Sequence, residues 1–373
     1  MRTARPPRVL LDARKARDFG IGRYVTGIAS GLVALGEVEL SVLVLPGDEP
    51  LLPEGAPKIP CASPHYSVAE LFAVGRAARR QTPDLFHAPH YVVPFGPPRP
   101  TVVTIHDLMH VTRPEHASPA KRLYARWMLG RATRLAARVL TVSEASRDEI
   151  ERLLPAARGK TRVVPNGLDA AFLSPVSAAE EARVRERYRL GSAPFVLFLG
   201  NDKPHKNLER LLDAWRSLAL PRGKERPLLV LAGGAAERAS ERRGALATRG
   251  LAEEDVRDLG VVGERDVAPL LSAARLLAFP SLAEGFGLPP LEAQAVGTPV
   301  LCSRRGGLPE AVGEAALYVD PESPASIADG LGRLLSGHAL RRRLSVEGRR
   351  RAEAFTWEAA ARRTTEVYRE ALG

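Results

Sequence analysis

The fold can be read from one stretch, Leu276-Leu-Ala-Phe-Pro-Ser-Leu-Ala-Glu-Gly-Phe-Gly-Leu-Pro-Pro-Leu-Glu292. Its apolar beginning, residues 276–280, predicts a short buried strand. The Pro-Pro pair predicts a helix that starts near Pro289, because proline fits the first helical turn, where its missing N–H would have no partner. The loop between them carries Glu284, and Glu292 is expected in the first turn of the helix. The stretch is therefore a strand–loop–helix unit with two carboxylates.

The loop suits a ligand that carries both phosphate and hydroxyl groups. Gly285 and Gly287 allow close backbone approach, and a helix N-terminus offers unpaired N–H groups and partial positive charge to a phosphate. The two acids then need hydroxyls to bind, and a sugar attached to a diphosphate has both kinds of group. Phe286 and Leu288 are further binding candidates in the same loop. The alternative is an ordinary turn followed by a helix whose acid is favoured by the dipole.

Outside this stretch, short apolar runs alternate twice with longer helical patterns such as 120–137, 208–218 and 327–335. Strand–helix alternation implies parallel sheets with helices on both faces, so two doubly wound α/β domains are predicted. The predicted strands are residues 8–13, 38–45, 84–88, 101–105, 139–143 and 162–165, then 195–199, 228–232, 258–262, 276–280, 299–303 and 316–319.

The predicted domains are residues 1–175 and 190–355, followed by an amphipathic helix over 356–373 that could pack on either domain. Loop and helix signals mix between about residues 167 and 193, where the boundary is expected. Ligands of doubly wound sheets bind at the carboxyl ends of the strands. The site is therefore expected in a cleft between the two domains.

Size and composition fit this organisation. The chain has 373 residues, of which 45% are hydrophobic and 26% charged, as in soluble globular proteins. Cys61 and Cys302 are its only cysteines, which argues against a disulfide framework or a metal cluster. Neither a signal peptide nor an apolar run of about 20 residues is evident, so a cytoplasmic protein is expected.

The net charge of +11 is carried mostly by arginine. It indicates a negatively charged binding partner, which could be nucleic acid, an anionic membrane or a phosphorylated substrate. Aromatic residues make up only 5% and do not interleave with a basic stripe, so nucleic acid is disfavoured. Residues 113–138 contain seven basic residues and one acid, with Leu123, Trp127, Met128 and Leu135 among them. They predict either peripheral contact with an anionic membrane or an ordinary helix whose apolar stripe packs on the sheet.

Other candidates follow predicted strands of the second domain. Lys206 stands at a strand-to-helix turn, where an ammonium can meet a diphosphate as a mobile point charge. The alternative is a solvated lysine beside Asn207 acting as a helix N-cap. The turn 306–307 would allow close approach to a nucleotide, and Arg304 and Arg305 would contact phosphate or face water.

The first domain offers a glycine pair and several histidines. Gly20 and Gly22 are predicted in a loop before a helix, which suits phosphate approach, although a plain tight turn would look the same. His106 follows the strand 101–105 and could bond a hydroxyl or transfer a proton, with a buried structural histidine as the alternative. His87 and His90 are weaker candidates for an acceptor site.

The chain resembles, over nearly its full length, the retaining glycosyltransferases of family 4, which have the GT-B fold. The most specific motif is Glu-x7-Glu at Glu284 and Glu292. Other matching segments are 198–207 as the phosphate-binding turn, 164–169 as the entry to the linker, 20–24 as the glycine loop, 104–108 as the His-Asp segment and 355–357 as the start of the terminal helix, which in the family typically crosses back to the first domain.

This resemblance implies roles for five residues. Lys206 is expected to contact the donor diphosphate, and Glu292 the nucleotide ribose. Glu284 is expected to contact hydroxyls of the donor sugar, His106 to lie near the transferred sugar, and Gly22 near the diphosphate. Glu284, His106 and Lys206 are the catalytic candidates.

The chain departs from the family in one place. Many members have arginine directly after the glycine that corresponds to Gly200, whereas Asn201 stands here. Lys203 is expected to supply the second positive charge. No Asp-x-Asp element placed for a metal is evident, so the resemblance implies a metal-independent enzyme without a cofactor, in which lysines and helix N-termini stabilise the leaving diphosphate.

The implied reaction moves a hexose from a nucleotide diphosphate sugar with retention of anomeric configuration. Residues 20–24 and 201–207 look like those of mannosyltransferase-like members, which favours GDP-mannose as the donor. A saccharide or lipid-linked acceptor of cell-surface polysaccharide synthesis is expected. Two alternatives stay open: a nucleotide-sugar 2-epimerase of the same fold, for which no matching acid–base set is seen, and a non-catalytic sugar-nucleotide binding protein.

Overall fold

The structure is a computed structural model that describes residues 5–63, 67–113, 118–218 and 226–373. The chain forms two compact units. The first unit comprises Met1–Asp169 and Phe355–Gly373, and the second comprises Ala170–Ala354. The chain thus leaves the first unit once and returns to it for its last helix.

The first unit is built on a seven-stranded sheet in the order β3-β2-β1-β4-β5-β6-β7, with every neighbouring pair parallel. Its strands are β1 Arg8–Asp12, β2 Glu39–Val44, β3 Lys58–Pro60, β4 Leu85–Ala88, β5 Thr101–Thr104, β6 Arg138–Thr141 and β7 Thr161–Val163. Alternate side chains of β1 enter two different cores: Val9 and Leu11 pack on one face and Leu10 on the other. Burial on both faces explains why this strand is a continuous apolar run.

Helices cover both faces of this sheet. They are α1 Phe19–Leu35, α2 Val68–Arg80, α3 Met109–Thr112, α4 Pro119–Leu135 and α5 Glu144–Leu153. Among the described residues, no helix is long and apolar enough to cross a bilayer.

The second unit has a six-stranded parallel sheet in the order β10-β9-β8-β11-β12-β13. Its strands are β8 Phe195–Leu199, β9 Leu228–Ala232, β10 Val256–Asp258, β11 Leu276–Phe279, β12 Val300–Ser303 and β13 Leu317–Val319. The remaining helices are α6 Ala170–Leu173, α7 Ala178–Arg187, α8 Leu208–Ser217, α9 Ala239–Ala247, α10 Glu264–Ala273, α11 Leu288–Val296, α12 Leu308–Val312, α13 Pro324–Ser336, α14 His338–Ala352 and α15 Trp357–Leu372, the last of which belongs to the first unit.

The strand order reverses between β8 and β11, because the chain first builds outward from β8 to β10 and then outward from β11 to β13. Such a reversal leaves a crevice outside the carboxyl ends of the two central strands. The segments that follow β8 and β11 contain Lys206 and Glu284. The topology therefore brings these two predicted site residues to the same place.

The terminal helix α15 lies against α1 because glycines leave room for it. A Cβ atom on Gly27 would lie 2.0 Å from the Trp357 ring, and one on Gly31 would lie 2.4 Å from the Trp357 carbonyl oxygen. The Trp357 indole N–H donates to Asp169 at 2.7 Å, and Arg23 donates to the same carboxylate at 2.7 Å. The two chain segments at the unit boundary are thereby held together within the first unit.

The two predicted doubly wound α/β domains are confirmed, and most strand positions agree to within one or two residues. Strand β3 was not predicted, because three residues ending in Pro60 give little apolar signal. The strand predicted at 258–262 is wrong in position, since β10 ends at Asp258. Gly260 has a φ of 61°, and Val261 is 64% exposed, so the apolar residues that suggested the strand lie in the following loop.

Candidate active site

A short helical turn after β8 places Lys206. This turn, Pro204–Lys206, ends at Asn207 with a φ of 63°, a left-handed conformation that asparagine tolerates better than most residues. The Asn207 side-chain amide donates to the carbonyl oxygens of Pro280 at 2.9 Å and Pro321 at 2.7 Å. Asn207 thus joins the β8 turn to the ends of β11 and β13. Asn207 occupies the N-cap position of α8, as the alternative predicted, but its side chain makes no cap hydrogen bond to that helix.

Lys206 and Glu284 form an ion pair with little solvent exposure. The Lys206 Nζ lies 2.8 Å from Glu284 Oε1, and the two side chains are 12% and 9% exposed. The same ammonium lies 4.7 Å from the centre of the Phe279 ring, which favours a cation over its face. The sheet therefore holds one positive and one negative group together at its crevice.

The backbone of the Glu284 loop is fixed by the glycine turn after β12. The Gly307 N–H donates to the Glu284 carbonyl oxygen at 3.0 Å. A Cβ atom on Gly306 would lie 2.1 Å from that oxygen, and one on Gly307 would lie 2.3 Å from the Gly285 carbonyl oxygen. These glycines make a close approach to the chain's own loop, and their approach to a nucleotide stays a prediction.

Helix α11 follows the acidic loop. Gly287 precedes it with a φ of 110°, and a Cβ atom there would lie 2.6 Å from Leu308 Cδ2. Because the helix starts at Leu288, Glu292 is its fifth residue and not in its first turn as predicted. The side chain of Glu292 is 1% exposed and that of Phe286 is 4% exposed.

The loop 201–203 is held by Asp202, which the sequence analysis missed. Its carboxylate accepts from the Ala235 N–H at 2.8 Å and from the buried Arg242 at 2.9 Å. Lys203 is exposed, and its side chain makes no ion pair within the described part of the chain. Its charge is therefore available to a ligand. No local signal in the sequence links Asp202 to an arginine forty positions away.

Arg304 and Arg305 form exposed ion pairs. Arg304 lies 3.0 Å from Glu314, and Arg305 lies 3.3 Å from Glu322. Both side chains are exposed to solvent, and their contact with phosphate stays a prediction.

In the first unit, the glycine pair lies inside a helix. Helix α1 starts at Phe19, so the predicted loop containing Gly20 and Gly22 is wrong. A Cβ atom on Gly22 would lie 2.4 Å from the Ala16 carbonyl oxygen, so this glycine lets the first helical turn pack on the preceding segment. Nothing lies within 4 Å of a Cβ atom built on Gly20, and this exposed glycine leaves open space at the helix start.

His106 follows β5 and is half-buried. Its Nε2 donates to the Pro89 carbonyl oxygen at 3.0 Å, which leaves Nδ1 as the acceptor of a neutral ring. Burial lowers the pKa of His106, while the Pro89 carbonyl and Asp107 act in the opposite direction. The Tyr24 ring meets the His106 ring edge-on at 4.8 Å between centroids.

His87 and His90 are buried and hydrogen-bonded to other groups of the protein. His87 is fully buried, with Nδ1 at 2.7 Å from the Tyr368 hydroxyl and Nε2 at 2.8 Å from Thr104 Oγ1. Burial lowers the pKa of His87 to about 3, so the ring is neutral. His90 is 8% exposed, and its Nδ1 accepts from the Val92 N–H at 3.3 Å.

The structure thus brings Lys206, Glu284 and the start of α11 together at one edge of the second sheet. Gly20, Gly22 and His106 belong to the first unit. Within the described residues, no group of three or more histidine, cysteine, aspartate or glutamate side chains could hold a metal ion.

Comparison with known proteins gives consistent matches. A family model described as glycosyl transferases group 1 matches residues 181–351, and one described as Glycosyltransferase Family 4 matches residues 20–172. The chain is 33% identical to the O-antigen chain mannosyltransferase B of Escherichia coli over 294 residues, which are 76% of this chain and 74% of that protein. It is 33% identical to the MMP alpha-(1->4)-mannosyltransferase of Mycolicibacterium hassiacum over 295 residues, 73% of this chain and 66% of that protein.

A solved structure agrees over nearly the whole chain. HepE of Anabaena, crystallised in complex with UDP-glucose, gives a TM-score of 0.78 at 20% sequence identity. The match covers 97% of this chain and 99% of that one.

Proposed function

The chain belongs to the group 1, family 4 glycosyltransferases and has the GT-B fold, and we propose that it is a retaining, metal-independent hexosyltransferase that uses a nucleotide diphosphate sugar. The proposed donor is GDP-mannose, and the proposed acceptor is a saccharide or lipid-linked chain of cell-surface polysaccharide synthesis. The ion pair of Lys206 and Glu284 at the reversal point of the second sheet is the observation that carries this proposal.

Each member of the pair has one role in binding the donor. A diphosphate brings negative charge, for which the Lys206 ammonium is a suitable partner, while a sugar hydroxyl can donate to the Glu284 carboxylate. Lys203 and the N-terminus of α11 supply further positive potential. Each preorganised charge of this kind stabilises the transition state by roughly 3 kcal/mol, so the proposed reaction does not require a metal.

The proposed reaction balances without a protein base. The bond from the sugar C1 to the diphosphate oxygen breaks, and a bond from C1 to the acceptor oxygen forms on the same face. The acceptor's hydroxyl proton passes to the departing phosphate oxygen. Neutral His106, with Nε2 committed to Pro89, offers Nδ1 as an acceptor for a hydroxyl of the transferred sugar, and Glu292 is assigned to the ribose hydroxyls.

The donor assignment is supported by the names of the two relatives, both of which are mannosyltransferases. HepE binds UDP-glucose, so the nucleotide base is the point at which a donor screen is most informative. The test incubates the full chain and a saccharide acceptor with GDP-mannose or UDP-glucose, with and without EDTA.

We expect GDP release and a mannosylated product of retained configuration, with EDTA leaving the rate unchanged. The anomeric configuration is read by NMR. An epimerised sugar nucleotide, an inverted product, or binding without turnover would each contradict the proposal.

Peripheral contact with an anionic membrane is proposed for α4. Leu123 and Trp127 are 71% and 48% exposed, and Lys121 and Arg126 are exposed on the same helix. Met128, in contrast, is fully buried, so the apolar residues of the predicted stripe divide between the core and the surface. The single acid counted in this region, Glu115, lies outside the described residues.

An exposed aromatic group extends this surface beyond α4. The Phe95 ring lies 5.1 Å from that of Phe72, which is 56% exposed, and 6.5 Å from that of Trp127. We expect Trp127→Ser to reduce co-sedimentation with anionic vesicles, whereas Val346→Ser, at an exposed position on α14, should not. Equal retention of the two variants would disprove the contact.

A further inference from the structure

A cavity of about 510 Å³ lies in the second unit at the edge of the sheet opposite to Lys206 and Glu284. Among its lining residues, Pro194, Arg275 and Pro299 directly precede β8, β11 and β12. Because these strands are parallel, their amino ends share one edge and their carboxyl ends the other. The cavity is therefore separated from the candidate donor site by roughly 13–16 Å, the length of strands of four or five residues.

The cavity is strongly cationic. Its lining includes Arg185, Arg275, Arg341, Arg342 and His338, and no aspartate or glutamate. Among the described residues, none of the four guanidinium groups has a carboxylate within ion-pair distance. Many other arginines of this chain do, such as Arg183 with Asp266 at 2.7 Å. Arginines without an ion pair also occur elsewhere in the described part of the chain, so what distinguishes this cavity is that four of them line it together.

Two of the arginines are held in place by backbone carbonyl groups. Arg185 donates to Gly191, Ala193 and Ala273 at 2.9–3.1 Å, and its guanidinium lies 5.1 Å from the centre of the Phe195 ring. Arg341 donates through Nη1 to the Leu335 carbonyl oxygen at 2.8 Å. Neutral carbonyls orient these cations without cancelling their charge. Burial lowers the pKa of both groups. The Glu181 carboxylate acts in the opposite direction on Arg185, and the charge of Arg275 lowers the pKa of Arg341 further.

Helix α14 adds a second source of positive potential. It is 15 residues long, begins at His338 and carries no acidic residue in its first turn. Its N-terminal end, through His338, Arg341 and Arg342, forms one wall of the cavity. The unpaired N–H groups of a helix start favour an anion at the place where the arginines converge.

We propose that this cavity binds a ligand bearing two or more phosphate charges, at a site separate from the donor site. A guanidinium group can donate two hydrogen bonds to a phosphate in parallel. The four guanidinium groups of this cavity carry more positive charge than a ligand with a single carboxylate would neutralise. The volume lies in the range of small-molecule sites. The ligand is either a soluble phosphorylated molecule or the phosphate headgroup of a lipid, which offers the same chemistry.

Inorganic pyrophosphate is the probe, and calorimetric titration of the full chain is the measurement. Every protein in this experiment carries Lys206→Ala, so that the candidate donor site contributes little to pyrophosphate binding. Arg275→Gln combined with Arg342→Gln removes two exposed cavity charges whose side chains form no hydrogen bond or ion pair with the described residues, and the fold should therefore persist. Arg343→Gln, the neighbouring exposed arginine outside the lining, is the matched control.

We expect the double substitution to weaken pyrophosphate binding at least tenfold and the control to leave it unchanged. A vesicle arm compares retention of the same proteins on phosphatidic acid and on phosphatidylcholine, with α4 intact in all of them. Pyrophosphate binding that depends on the two arginines identifies a soluble ligand. Retention on phosphatidic acid that depends on them identifies a lipid headgroup. If neither arm depends on Arg275 and Arg342, the proposal is overturned. Because the candidate donor site is disabled in every protein tested, a negative result in both arms does not bear on the proposed transferase function.

Discussion

Two polar clusters stand at strand ends, one in each unit, and they differ in charge and exposure. After β8 and β11, Lys206 and Glu284 are charged and each keeps about a tenth of its side chain exposed. Near the carboxyl end of β4, His87 is neutral, fully buried and bonded through both ring nitrogens to Thr104 and Tyr368. A strand-end position is therefore not sufficient for a functional role, because a group whose hydrogen bonds are all satisfied inside the core has none to offer a ligand.

The largest expected effect concerns the exposed cluster. Lys206→Ala should lower kcat/KM on the order of a hundredfold, or about 2.7 kcal/mol, because one charge contact to the leaving diphosphate is lost. Steady-state kinetics with the donor gives the value, and circular dichroism checks the fold. Arg343→Gln is the control for a change in total charge. Near-normal turnover of Lys206→Ala would remove the contrast between the two clusters.

The buried cluster should affect the pH dependence of the free energy of unfolding and not catalysis. The folded-state pKa of His87 is about 3, against about 6.5 for an unfolded histidine, so the unfolded chain binds the proton more readily. The stability contributed by the neutral ring is present above about pH 6.5 and is lost as the pH falls toward 3. Between pH 7 and 5 the free energy of unfolding should fall by about 2 kcal/mol from this residue.

Denaturant titrations of the wild type and of His87→Gln at several pH values measure this contribution. The substitution should flatten the pH dependence. His106→Gln is the comparison, since burial shifts the pKa of His106 in the same direction but the ring is only half-buried. Parallel curves for the wild type and His87→Gln would show that the buried ring does not titrate in this way.

The smallest expected effect tests whether full burial excludes a ligand role. Glu292 is 1% exposed, like the residues of the structural cluster, but is assigned to the ribose. Glu292→Ala should weaken GDP binding about fivefold, or roughly 1 kcal/mol, with little change in kcat, because the contact is made equally in the ground and transition states. Titration with GDP measures it. Unchanged affinity would place Glu292 with His87 among the structural residues.

The structural role of several residues could not be predicted from local pattern. Gly22 was expected to allow approach of a phosphate, and Gly306 and Gly307 approach of a nucleotide; in the structure each lies close to the chain's own backbone. The pair Gly27 and Gly31 did carry a usable signal, because glycines four positions apart share one helix face. Their partner, Trp357, lies more than three hundred residues away in the sequence.

The sequence by itself determined the two doubly wound domains and the strand-end positions of Lys206 and Glu284, because hydrophobic periodicity and proline or glycine signals act over a few neighbouring residues. Only the tertiary structure decided which polar groups are satisfied inside the core, which glycines the packing requires, and how arginines from 185 to 342 surround one cavity. These properties depend on contacts between residues far apart in the chain, and such contacts exist only after the sheets and helices have packed.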